Sequence, residues 1–188
     1  LTTGLNNGTS WANAFRSFND DAMPTIGGLS EDSTLHMRSN GTVDVSRTTS
    51  GLALNGYTFD IILENGSILY GSTSYAIVFN TILSGGSGGT LNLHNFHVLQ
   101  GSGSGYGIGL SHAPAGGTVN LFNPIVRCII GKNSDYAIYA PSPGTNNVYG
   151  GVLVNCDVGI GNETDGVLNI YNTYISSTTT CYNTTGTA

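Results

Sequence analysis

Apolar and polar residues alternate along this chain in short runs, and the runs repeat. From Gly89, "GTLNLHN" puts Leu91 and Leu93 on one side of an extended backbone and Asn92 and His94 on the other, because successive strand side chains point to opposite faces. The pattern returns as "GTVNLFN" from Gly117, "GTNNVYG" from Gly144 and "GVLNIYN" from Gly166, and looser copies start earlier, as "YTFDIIL" from Tyr57 and "STLHMRS" from Ser33. The six starts are separated by 24, 32, 28, 27 and 22 residues. Each copy predicts a half-buried strand whose third and fifth residues face inward: Leu35 and Met37, Phe59 and Ile61, Leu91 and Leu93, Val119 and Leu121, Asn146 and Val148, Leu168 and Ile170.

A second apolar stretch follows most copies ("FHVL", "IVRCII", "VLV", "TYI"), and a third lies near a Tyr-Ala/Gly-Ile motif ("YAIVF", "YGIGL", "YAIYA"). Three short strands per repeat, with no helical stretch between, predict an all-β chain, a parallel β-solenoid of about six coils stacked roughly 4.8 Å apart. Strands must stay aligned while loops can swell, so the Gly/Ser clusters at 84–89 and 101–105 read as loops. Asn95, Asn123 and Asn172 close three of the copies, where a left-handed corner is expected. Before the first strand, Trp11, Phe15, Phe18 and Ala22 fall on one helical face behind Thr9 or Ser10, predicting an N-terminal capping helix. The division expected is a capping segment at 1–32 and a β-helix domain at 33–188, continuing into further coils in a longer chain.

The stretch "NNGTSWANAF" followed by "STLHMRSNGTVDV" resembles the opening of right-handed parallel β-helix repeat proteins of the pectin-lyase-like superfamily, with Val43 where those commonly carry Tyr. The later "VNLFN" and "LNIYN" repeats are similar to those of phage virion proteins and bacterial surface proteins of that group. The resemblance implies a right-handed coil. It leaves activity open, since the superfamily holds lyases and glycosidases as well as members without catalysis.

In the repeat register the middle residues form an outward column of His36, Asp60, Asn92, Asn120, Asn147 and Asn169. An Asn stack of this kind hydrogen-bonds along the axis or touches glycan. Two residues on lies a second column: Arg38, Ile62, His94, Phe122, Tyr149 and Tyr171. Outward aromatic rings meet a partner more often than water: they stack on sugars, pack against a neighbouring subunit or lie under a loop.

Catalytic groupings are thin. Arg127 or Lys132 with Asp135 and Asp157 supply a lyase's residue types but sit at different coil offsets. Asp60 with Glu64, and His36 beside them, is the best acid/base grouping for a hydrolase, which needs two carboxylates about 5 to 9.5 Å apart. No catalytic residue, cofactor or metal site is assigned. Cys128 and Cys156, 28 residues apart, stack in adjacent coils within bridging distance and read as a buried pair of small apolar side chains. The five sequons, at Asn7, Asn40, Asn65, Asn162 and Asn183, are about as many as this composition produces by chance.

Charge narrows the partners. Only 5 residues are basic against 11 acidic, for a net charge of −6, which leaves no phosphate-binding surface and argues against nucleic acid. No apolar run approaches the roughly 18 residues of a membrane span. The function expected is a non-enzymatic extracellular module: a virion fibre, spike or decoration protein, or a bacterial surface protein. Its partners would be copies of itself, as in a homotrimer, other virion or surface proteins, or cell-surface polysaccharide. The competing class is a polysaccharide-degrading lyase or glycoside hydrolase.

Overall fold

The computed structural model describes residues 30–37, 42–44, 47–50, 54–64, 68–71, 75–80, 88–100, 105–111, 117–128, 136–140, 144–162, 166–176 and 179–184. The expected capping helix, Arg38, Lys132 and Asp135 lie outside these residues, as do the sequons at Asn7, Asn40 and Asn65.

The first strands are β1 (Ser33–Met37), β2 (Thr42–Asp44), β3 (Arg47–Ser50), β4 (Thr58–Leu63), β5 (Ile68–Gly71) and β6 (Tyr75–Asn80). Next come β7 (Gly89–His94), β8 (His97–Gln100), β9 (Tyr106–Ser111), β10 (Gly117–Phe122), β11 (Ile125–Cys128) and β12 (Tyr136–Tyr139). The last are β13 (Thr145–Tyr149), β14 (Val152–Val154), β15 (Val158–Asn162), β16 (Val167–Tyr171), β17 (Tyr174–Ser176) and β18 (Thr180–Thr184). β1 to β15 each pair in parallel with the strand three places on, giving three six-stranded sheets ordered β1-β4-β7-β10-β13-β16, β2-β5-β8-β11-β14-β17 and β3-β6-β9-β12-β15-β18. No helix occurs among the described residues.

The repeated heptapeptide is the first strand of each three-strand unit, and its alternation becomes burial. Ile61, Leu93, Leu121, Val148 and Ile170 stand in one inward column of the first sheet. Leu69, Val98, Val126, Leu153 and Ile175 form a column of the second, and Ile108, Ile138 and Ile160 one of the third. All but the last-strand members Ile170 and Ile175 are buried, each side chain contributing about 1.5–3 kcal/mol.

The corners turn as their residues require. Asn95, Asn123 and Asn172 have φ of 58°, 52° and 52°, and the amides of Asn95 and Asn123 donate to Phe122 O and Tyr149 O in the next unit. Gly150 replaces Asn in the fourth copy, and Gly151 follows with φ of 90°. A Cβ on Gly151 would lie 2.2 Å from Pro124 O, so no other residue fits there without moving the backbone.

Two expectations are corrected. β1 pairs with Thr34 opposite Asp60 and His36 opposite Ile62, two residues away from the register that stacked His36 on Asp60. A two-residue slip returns every side chain to the same face, so alternation alone did not separate the two registers. Cys128 and Cys156 are joined in a disulfide across 28 residues rather than left as thiols, since unit stacking brings their α-carbons to 4.9 Å, inside the range a bridge needs.

Candidate functional site

The outward face of the first sheet carries all eight residues singled out as ligand-binding or interface positions, in two adjacent columns. Asn92, Asn120, Asn147 and Asn169 are in mutual register, and so are His94, Phe122, Tyr149 and Tyr171. Both columns follow from one cause: parallel in-register pairing puts equivalent residues of successive repeats one strand spacing apart.

The Asn column is a directional chain of side-chain amides. Asn169 Nδ2 donates to Asn147 Oδ1, Asn147 Nδ2 to Asn120 Oδ1 and Asn120 Nδ2 to Asn92 Oδ1, each at 2.8 Å. Asn92 Nδ2 then donates to Asp60 Oδ1 at 3.1 Å. All the donors point one way, towards a carboxylate, so the amide dipoles align and polarise one another. That last bond is the longest of the chain, its acceptor oxygen being shared with His94.

The ring column stacks face to face. Centroid separations are 4.8 Å for His94 and Phe122, 5.1 Å for Phe122 and Tyr149, and 5.0 Å for Tyr149 and Tyr171, with interplanar angles of 12°, 11° and 6°. Contacts of this type add about 0.5–1.5 kcal/mol each beyond area burial. They also cover the faces of the inner rings, so solvent meets ring edges. Tyr171 is the last ring of the stack among the described residues.

The charged groups gather where both columns begin. His94 Nε2 lies 2.8 Å from Asp60 Oδ1, and His36 Nδ1 lies 2.8 Å from Glu64 Oε1. An ionised carboxylate only accepts, so each of these ring nitrogens carries the proton. Ile62 stands between the two histidines, in register with both, and each imidazole leans diagonally to a different end of β4. The α-carbons of Asp60 and Glu64 are four residues, or about 13 Å, apart along the chain, and each carboxylate is held by its own histidine. That spacing is wide for a shared glycosidic bond. Among the described residues, no group of three or more His, Cys, Asp or Glu is placed to hold a metal ion.

The remaining candidates are scattered. Arg127 lies on β11 in the second sheet, where its charge adds to partial burial in pushing the pKa of His97 below the ordinary value; burial is the larger cause. Asp157 follows the corner after β14, three residues beyond Val154, the register partner of Arg127. Asn162 is 5% exposed and donates through Nδ2 to Gly166 O at 2.9 Å, so its sequon is closed to a glycosyltransferase in this fold.

Three features escaped the sequence reading. The His–carboxylate pairs are diagonal, and an ion-pair search at i, j±2 across neighbouring repeats is the signal that finds them. On the third sheet Tyr106 stacks on Tyr139 at 4.2 Å and 6°, with Tyr136 tilted against both. The recurring Tyr-Ala/Gly-Ile motif marked that cluster. Asn146 sits at an inward position, fully buried, with neither Oδ1 nor Nδ2 hydrogen-bonded, and its mark was a polar residue in an otherwise apolar column. Comparison with protein-family models, with curated proteins and with solved structures returns no match for this chain.

Proposed function

We propose that the chain is a right-handed parallel β-helix of about six coils, of the pectin-lyase-like kind it resembles, acting as a non-enzymatic structural or attachment module outside the cell. The settings that suit it are a virion fibre, spike or decoration protein, or a bacterial surface protein. The observation that carries the reading is the self-sufficiency of the first sheet's outward face. From Asp60 to Asn169 the amides bond to one another and the rings beside them cover one another's faces. A catalytic surface aims polar groups at a substrate; here they are spent on stiffening a wall. The Cys128–Cys156 bridge suits an oxidising, extracellular compartment. Partners on this reading are copies of the chain, as in a homotrimer, other virion or surface proteins, or cell-surface polysaccharide touched along the ring edges of Phe122 and Tyr149.

The second reading, a polysaccharide-degrading enzyme, draws on the Asp60–His94 and His36–Glu64 pairs. Incubation with a panel of neutral and acidic polysaccharides separates the two. The proposal expects neither reducing ends nor unsaturated uronates above background, and turnover abolished by Asp60→Ala would overturn it. Replacing Phe122 and Tyr149 by Ala distinguishes the non-enzymatic roles: loss of glycan retention with assembly intact assigns the stack to glycan, and the reverse assigns it to an interface.

A further inference from the structure

The outward face of the second sheet differs from the other two. Its strands β11 and β14 have a neighbour on each side, so the residues that alternate with buried Val126 and Leu153 point sideways from the coil axis. Two outward columns result: His97, Ile125, Val152 and Tyr174 in register, with Leu99, Arg127, Val154 and Ser176 beside them. On the first sheet the rings cover one another, and on the third Tyr106, Tyr136 and Tyr139 do the same. On the second the apolar side chains stand open, Ile125 being 40% and Val152 37% exposed in the middle of the sheet and Tyr174 63% beside them. Aliphatic groups cannot hydrogen-bond a sugar, so this face suits another apolar surface rather than a glycan.

The four strands fit a second copy of themselves. Consider a two-fold axis in the contact plane, parallel to the strands and midway between β11 and β14. It lays β11 over the partner's β14 and β8 over the partner's β17, an aligned packing of two sheets roughly 10 Å apart. Ile125 then meets the partner's Val152, Arg127 its Val154, Leu99 its Ser176 and His97 its Tyr174, and each contact is made twice, as an isologous pair demands. Two of these pairs set a long side chain against a short one. Asp157 lies three residues beyond Val154, so the partner's Asp157 comes to the same edge as Arg127, and opposite charges meet at the rim of an aliphatic centre. Standard interfaces bury roughly 30 Å² per residue. The eight outward residues, with about as many at the flanking corners, give about 500 Å² per copy, and the pair reaches the ~1,000 Å² of a specific contact.

We propose that the outward face of the second sheet is a lateral self-association surface, on which two copies of this chain pack side by side with antiparallel coil axes through Ile125 and Val152. It gives one form to the self-association in the function proposed above and rests on that reading. An area at the low end for specific pairs goes with a weak dimer, of dissociation constant about 10–100 μM.

The test uses the full chain in a Cys181→Ser background, with sedimentation velocity and native mass spectrometry up to several times the dissociation constant. The expected species is a dimer of about 39 kDa, twice the 19.5 kDa chain. Ile125→Glu and Val152→Lys each place a charge against an apolar partner residue and should each raise the dissociation constant at least tenfold. Mixed in equal amounts, the two variants should form the heterodimer, because Glu then faces Lys at one contact and Val faces Ile at the other. Thr118→Lys, on the first sheet, should dimerise as the unsubstituted chain does. A chain that stays monomeric, a trimer, a dimer that tolerates both single substitutions, or a mixture without heterodimer overturns the proposal. Should either variant fail to fold, concentration-dependent amide shifts of the unsubstituted chain decide: they must fall on β8, β11, β14 and β17, and shifts elsewhere overturn it. A monomer removes this contact alone, whereas turnover on a polysaccharide removes the reading beneath it.

Discussion

Asp60 and His94 are 34 residues apart in the chain and 2.8 Å apart in space. The same Asp60 oxygen takes the final donor of the Asn chain, so one carboxylate anchors both columns of the first sheet. Replacing it by Ala strands the Nδ2 of Asn92 and the ring N–H of His94. The expected loss is about 1 kcal/mol, small because the pair is partly solvated, or about 2–4 °C in melting temperature for a chain of this size. Asp60→Asn keeps an acceptor and should lose less than half as much. Thermal melts by circular dichroism of the two variants check the ordering, and equal losses would show that Asp60 anchors nothing.

Asn146 offers the opposite sign. It occupies a core position whose neighbours in register are Val119 and Leu168, and both of its polar atoms lack hydrogen bonds. Burying them unpaired costs about 1–3 kcal/mol. Asn146→Val, which copies the residue one unit below, should therefore stabilise the fold by about that amount in urea titration. A destabilised variant would mean that the amide has a partner after all.

The disulfide between Cys128 and Cys156 closes a loop of 28 residues. Chain entropy assigns such a closure about 3–4 kcal/mol. Cys128→Ala with Cys156→Ala should lower the urea midpoint accordingly, and reductant should then have no further effect on that variant.

His97 titrates below its ordinary value because it is partly buried and lies near Arg127. Just below pH 6.5 the unfolded chain then binds more protons here than the folded one, so stability falls with falling pH. This contribution is complete above about 6.5 and is lost as the pH drops towards the folded-state pKa. Denaturation midpoints measured from pH 8 to 5 for the protein and for His97→Gln should diverge across that window, the wild type falling faster. Parallel curves would remove His97 from the account.

β7, β10, β13 and β16 were legible because the chain writes one heptapeptide four times, and Gly89, Gly117, Gly144 and Gly166 do fall in register. The corner asparagines were legible because few residues other than glycine tolerate positive φ. β1 was misplaced by two residues, since a pattern of period two cannot see a slip of two. The face-to-face stacking of Phe122 and Tyr149 was not legible, because a column of rings fixes their spacing and leaves their tilt to side-chain rotamers. The pairing of His36 with Glu64 was hidden by the same slip.

The fold rests on strands stacked in register, and inter-strand NOEs in an isotopically labelled sample test that stacking most directly. Hα–HN contacts should link β7 to β10, β10 to β13 and β13 to β16, with Asn92, Asn120, Asn147 and Asn169 in one continuous parallel series. Contacts between α-protons of facing residues, the mark of antiparallel neighbours, or a series offset by even one residue between Asn120 and Asn147, would contradict it.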